Sequence, residues 1–200
     1  MPIRPILSLA AALAVLVASA ASAQLAFSSA PLFPPVPLAQ IADVNGDGVL
    51  DACGIEYGCP AVYPGLADGT FAEPIGSSGN LADGFVLGDV NGDGRADLVA
   101  PHAFSGSTSA VDVRLATPEA TFLEASVLSL PRDPGELQLE DVSDDGVLDL
   151  VVMPPKLSIV RFMLLLGHGD GTFEPPQDLP TLGAAFLAFG DLNGDQHTDA

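Results

Sequence analysis

The sequence predicts an all-β chain built of repeated four-stranded antiparallel blades, and two recurring landmarks predict it. The first is an acidic loop: "DVNGDGVLD" (Asp43 to Asp51), "DVNGDGRAD" (Asp89 to Asp97), "DVSDDGVLD" (Asp141 to Asp149) and "DLNGDQHTD" (Asp191 to Asp199), at intervals of 46, 52 and 50 residues. The second is a turn that ends in phenylalanine: "GLADGTF" (Gly65 to Phe71), "ATPEATF" (Ala116 to Phe122) and "GHGDGTF" (Gly167 to Phe173). Each phenylalanine precedes the next acidic loop by 18, 19 and 18 residues, so both landmarks share one register. A period of about 50 residues suits one blade of a β-propeller. An all-β sandwich also uses short strands spaced about 8 to 12 residues apart, but it does not require a repeated sequence.

The elements follow in chain order. Residues 1–23 carry one positive charge at Arg4, an apolar run from Ile6 to about Ala18, and small residues at Ala21 and Ala23. That pattern is a secretory signal cleaved after Ala23, and the run is shorter than the roughly 20 residues of a spanning helix. The repeat region is then 24–200, exported to the cell surface, periplasm or extracellular space, with no membrane insertion expected. Cys53 and Cys59 flank the turn-like "GIEYG" in a chain bound for an oxidising compartment, so a disulfide stapling a hairpin is expected over two free thiols.

Strands are predicted within "FVLGDV" (Phe85 to Val90), "ADLVAP" (Ala96 to Pro101), "SAVDVRLA" (Ser109 to Ala116) and "TFLEASVLSL" (Thr121 to Leu130). No segment of the repeat region shows a capped helical stripe. The "DGT" before each phenylalanine, "EAT" in the second copy, is expected to turn the chain between the middle strands of a blade.

The acidic loops carry the chemistry. In the second, Asp89, Asn91, Asp93 and Asp97 stand at positions 1, 3, 5 and 9, with glycine at position 6 and the carbonyl of Arg95 at position 7. The same positions are Asp43, Asn45, Asp47, Val49 and Asp51 in the first loop, and Asp141, Ser143, Asp145, Val147 and Asp149 in the third. In the fourth they are Asp191, Asn193, Asp195, His197 and Asp199. Every donor is a hard oxygen, which favours calcium over zinc or copper, and a flexible loop suits calcium better than the rigid octahedron of magnesium.

Turn propensity accounts for the composition but not for aspartate fixed at positions 1, 5 and 9 in four copies. Weaker binding is expected in the third loop, where Ser143 replaces an amide and Asp144 a glycine, and in the fourth, where Gln196 replaces glycine. Position 12 falls on Gly54, Ala100 and Val152 in the first three loops, so none is an EF-hand.

On these motifs the chain resembles the FG-GAP/VCBS repeat family, the calcium-loop blades of integrin α-subunit propellers and of many bacterial secreted proteins. "GDVNGDGRADL" (Gly88 to Leu98) and "GHGDGTF" carry the resemblance. It implies a propeller of about seven blades with a calcium in each matching loop. Three loop-to-loop intervals make only about three to four blades, so the expectation is an incomplete propeller, an open arc or an N-terminal fragment completed by another chain or a missing C-terminal region.

Composition narrows the function. A formal net charge of −20, with 26 acidic residues against six Lys and Arg, repels nucleic acid. The expected function is a non-catalytic, calcium-binding adhesion module for a protein or glycan. The alternatives are the propeller part of an extracellular enzyme acting on polysaccharide or lipid, and a lectin. Against an enzyme, twelve of the 26 acids already fill loop positions 1, 5 and 9, and His102, His168 and His197 read as scattered, solvated loop residues. Against a lectin, there is no Trp, and Phe71, Phe122 and Phe173 read as blade core.

Overall fold

A computed structural model describes residues 40–79, 81, 84–102, 109–155 and 161–179. The secretory segment and the fourth acidic loop with Asp191, Asn193, Asp195, His197 and Asp199 lie outside the described residues. All the described residues fall in one compact unit, Leu32–Ala200.

They form three four-stranded antiparallel sheets and no helix. The first sheet is β1 (Gln40–Ala42), β2 (Asp51–Glu56), β3 (Cys59–Tyr63) and β4 (Ile75–Gly76). The second is β5 (Val86–Gly88), β6 (Asp97–Pro101), β7 (Ala110–Arg114) and β8 (Ser126–Ser129). The third is β9 (Leu137–Glu140), β10 (Asp149–Val152), β11 (Met163–Leu165) and β12 (Gln177–Asp178). Within each sheet the spatial order is the chain order, as in propeller blades, and the first strands β1, β5 and β9 lie beside one another.

Alternation along the strands decides how the blades stack. On β2, Cys53 points toward the second blade and is buried with Val44, Val62, Leu98, Ala100 and Phe122. Its neighbour Ala52 points the other way, joining Ala61, Tyr63 and Phe71. On β6, Leu98 faces the first blade while Val99 faces the third, packing with Val113, Leu150, Val152 and Leu165. The second blade is therefore apolar on both faces, which explains strands that read as continuous hydrophobic runs. Phe122 and Phe173 are buried in these interfaces, as blade core.

Two local expectations are corrected. The "DGT" turn joins the third and fourth strands of a blade rather than the middle pair: Gly65 pairs with Phe71, Ala116 with Phe122 and Gly167 with Phe173 beyond the ends of β3, β7 and β11. In the first blade the middle hairpin is made by Tyr57 and Gly58, both at positive φ (52° and 81°), the geometry of a two-residue type I′ turn.

The register of that hairpin also overturns the disulfide. Cys53 pairs with Val62 and Cys59 with Glu56, so the two cysteines are offset by three residues and point to opposite faces of the sheet. That offset is about 10 Å along the strand, beyond the roughly 7 Å Cα separation a disulfide spans. Both are free thiols: Cys53 is buried, which pushes its thiol up to about 12, and Cys59 Sγ donates to the Gly79 carbonyl at 2.9 Å. Thiol titration of the denatured chain is expected to count two cysteines without reductant; a count of zero would restore the staple.

Candidate metal centre

In each blade the acidic loop connects the first two strands and starts one residue after β1, β5 or β9 ends. The backbone curls the same way three times. Positions 4 and 6 are left-handed in all three loops: Gly46 and Gly48 (φ 77° and 83°), Gly92 and Gly94 (74° and 83°), and Asp144 and Gly146 (58° and 85°). Aspartate tolerates that region better than most side chains, so Asp144 keeps the curl where a glycine was expected.

The curl brings positions 1, 3 and 5 together around the loop's own amides. Asp43 accepts from Gly46 N and Asp47 N through Oδ1 (2.7 and 3.2 Å) and from Gly48 N through Oδ2 (2.8 Å). Asn45 Oδ1 accepts from Asp47 N, and Asp47 Oδ1 from Val49 N. The second loop repeats this pattern bond for bond with Asp89, Asn91, Asp93 and Arg95 N. In the third, Asp141 accepts from Asp145 N and Gly146 N, and Asp145 from Val147 N. The amide acceptor at position 3 has no counterpart among the bonds of Ser143, which instead donates its N–H to Asp149.

Position 9 stands apart from this group. Asp51, Asp97 and Asp149 are fully buried at the start of β2, β6 and β10. Asp97 accepts from Val90 N at 3.1 Å, inside its loop, and from Ala116 N at 2.7 Å, in the turn before β8. Asp51 does the same with Val44 N and Gly65 N, and Asp149 with Val142 N and Gly167 N. Each position 9 aspartate thus clasps the acidic loop to the phenylalanine turn of the same blade. Sequence spacing shows it as a ligand position; its backbone partners lie 14 to 19 residues ahead and leave no local signal.

Among the described residues no three His, Cys, Asp or Glu side chains stand in one metal-holding cluster. The loops also contain amide and backbone oxygens, and their donor chemistry fits a hard cation. Each carboxylate has about four lone-pair directions, more than its amide bonds use. Burial, joined by the negative charges of Asp93 and Asp89, pushes the Asp97 carboxyl up to about 6, against the lowering bonds from Ala116 N and Val90 N. Burial likewise raises Asp51, with Asp47 adding to it. A divalent ion among these oxygens would relieve that repulsion. Asp43, Asn45 and Asp47, with the Val49 carbonyl, would hold it in the first loop; Asp89, Asn91, Asp93 and the Arg95 carbonyl in the second; and Asp141, Ser143, Asp145 and the Val147 carbonyl in the third.

Arg95 gives the second loop a feature the others lack. Its guanidinium pairs with Asp93 Oδ2 of its own loop, and Nε donates to the Ala116 carbonyl at 3.2 Å. Valine holds this position in the first and third loops. An internal cation on a ligand oxygen competes with an external one, so Arg95→Val is expected to tighten cation binding at the second loop by about three- to tenfold, of order 1 kcal/mol. Isothermal titration of the variant against the parent chain checks this, and equal affinities would refute it.

Residues 42–100 match a family model described as FG-GAP-like repeat. Over these residues the chain is similar to an FG-GAP-like repeat. The match runs from the last residue of β1 to the last but one of β6, so the matched stretch spans two acidic loops and is offset from the blade by one strand. The third loop repeats its curl and its clasp outside the matched residues.

No curated protein matches the chain. Among solved structures, an Agrocybe aegerita lectin described for specific recognition of non-reducing terminal N-acetylglucosamine is similar over 68% of this chain, at 22% identity and a TM-score of 0.51. The crystal structure of TcdB2-TccC3-Cdc42 is similar over 69%, at 24% identity and a TM-score of 0.50. The chain spans 36% of the first and 7% of the second. At these identities the likeness is one of fold.

The two described histidines, His102 and His168, form no common site. His102 Nδ1 lies 2.5 Å from Oδ1 of the buried Asp112, so it is tied to β7 rather than solvated. His168 is exposed, with Thr172 and Glu174 as partners. His197 lies outside the described residues.

Proposed function

We propose that this chain is a calcium-stabilised, non-catalytic binding module that acts outside the cell and holds a protein or glycan through its loops. The observation that carries the reading is the threefold repetition of one curled, all-oxygen loop, with the same left-handed positions and the same internal bonds. A fold needs no such carboxylate density in its turns, whereas a hard cation does. The N-terminal signal pattern supports export. A lectin of similar fold supports the glycan arm.

Titration of the chelator-treated chain with calcium and with magnesium tests the reading. At least two calcium sites are expected, with magnesium binding more weakly, and the double change Asp89→Asn with Asp93→Asn should remove one. A chain that takes up no calcium sinks the proposal. Turnover of any polysaccharide or ester that a single carboxylate change outside the loops abolishes would replace it with the enzyme alternative.

A further inference from the structure

Position 7 of the acidic loop and the residue facing it at the phenylalanine turn change together. In the first and third blades position 7 is valine, and Val49 Cγ1 and Val147 Cγ1 each lie 3.0 Å from where a Cβ on Gly65 or Gly167 would stand. In the second blade position 7 is Arg95, and the buried Ala116 takes the place of that glycine. The Ala116 Cβ fills the space that a valine methyl uses in the other two blades, so the longer, unbranched Arg95 side chain takes another course.

That course joins two loops. The Arg95 guanidinium pairs with Asp93 of its own loop, and Nε donates to the Ala116 carbonyl at 3.2 Å. Its stem lies against the first loop: a Cβ on Gly46 would stand 3.0 Å from Arg95 Cγ and 3.7 Å from Cδ. Gly46 N in turn donates to Asp43 Oδ1, an oxygen of the first loop's position 1. A second tie runs through the backbone, from Ala96 N to the Asp43 carbonyl at 2.8 Å. Val147, by contrast, lies with its methyls against Gly167 and Gly169 of its own blade.

We propose that Arg95 couples the first two acidic loops, so that a divalent cation taken up by one weakens binding at the other. The proposal rests on the reading of these loops as calcium sites. The Arg95 and Asp93 side chains are 23% and 28% exposed, so water screens the pair only in part. While Asp93 answers the guanidinium, Arg95 stands neutralised at the border of the two loops. An ion held by Asp89, Asn91 and Asp93 takes up that carboxylate's charge. The contact with Gly46 and the bond to Ala116 then hold an uncompensated positive charge beside the first loop, which disfavours a second cation there. Linkage makes the penalty the same in both directions.

Calcium titration of the chelator-treated full chain, followed by amide nuclear magnetic resonance, tests this loop by loop. Gly48 N and Gly94 N report the two sites separately, because they donate to Asp43 Oδ2 and Asp89 Oδ2 at 2.8 Å each. Asp89→Ala disables the second loop and leaves Arg95 paired with Asp93. Its first loop should bind calcium about three- to tenfold more tightly than the parent's first loop does with the second filled. Arg95→Gln keeps the stem without the charge and should at least halve that factor, whereas Arg95→Lys, which keeps the charge, should preserve most of it. Equal affinities in the parent and Asp89→Ala overturn the proposal, and so does a factor that Arg95→Gln leaves unchanged. Those results leave calcium binding itself standing; amides that ignore calcium altogether remove the calcium reading and the coupling together.

Discussion

Replacing Asp97 by alanine is expected to destabilise the chain by about 2 to 4 kcal/mol, far more than a change at any exposed loop carboxylate. Asp97 is fully buried, and its two oxygens are the acceptors for Val90 N and Ala116 N. Alanine leaves both N–H groups buried without those acceptors, at about 1 to 3 kcal/mol each, and opens a small void. Removing the carboxylate also relieves the cost of holding its charge where burial pushes it up to about 6, and this relief offsets part of the loss. Asp97→Asn keeps one acceptor and should cost less than alanine. Asp93→Ala, on the exposed rim, should cost under about 1 kcal/mol in chelator. Urea denaturation in chelator measures all three. Equal losses for Asp97→Ala and Asp93→Ala would mean that the clasp does not hold the blade.

The contrast between positions 5 and 9 also shows how far the sequence could be read. Strand placement was legible, because alternation and turn residues act over a few neighbours: β5, β6, β7 and β8 all fall inside the segments expected from the sequence. The curl of the first three loops was legible for the same reason, since it depends on residues within the loop. What distant residues decide was hidden. Asp97 reads as one more ligand in a row of carboxylates, yet Ala116, its partner 19 residues on, carries no mark of that role. Arg95 counted only for its carbonyl, and its guanidinium bond to Asp93 depends on a rotamer that spacing cannot give.

The cysteines misled because sequence separation says nothing of register: a two-residue turn at Tyr57 and Gly58 offsets them by three positions, where a different turn could have opposed them. The turn in "GIEYG" was legible but its two-residue length was not, since Tyr57 is neither Asn, Asp nor Gly. The repeated "DGT" drew the middle hairpin to the wrong place, since its turn chemistry is the stronger local signal.

Calcium is expected to raise the melting temperature of the chelator-treated chain by about 10 to 20 °C. A ligand that binds only the folded state adds RT ln(1 + [L]/Kd), about 2.7 kcal/mol per site at a hundredfold excess over Kd, and two such sites add about 5 kcal/mol. For a domain of this size each kcal/mol moves the midpoint by roughly 2 to 4 °C. The first two loops should supply most of the shift, because both offer an amide oxygen at position 3 where the third has the Ser143 hydroxyl. Asp43→Ala and Asp89→Ala should each remove close to half of it, and Asp141→Ala less. Differential scanning calorimetry in calcium, magnesium and chelator separates these outcomes. Because position 9 holds each loop to its own blade, an ion fixed at positions 1, 3 and 5 stiffens the connection that feeds the clasp, so the gain should appear as a later, still cooperative transition. A midpoint that does not move with calcium would leave the carboxylates as turn-formers alone.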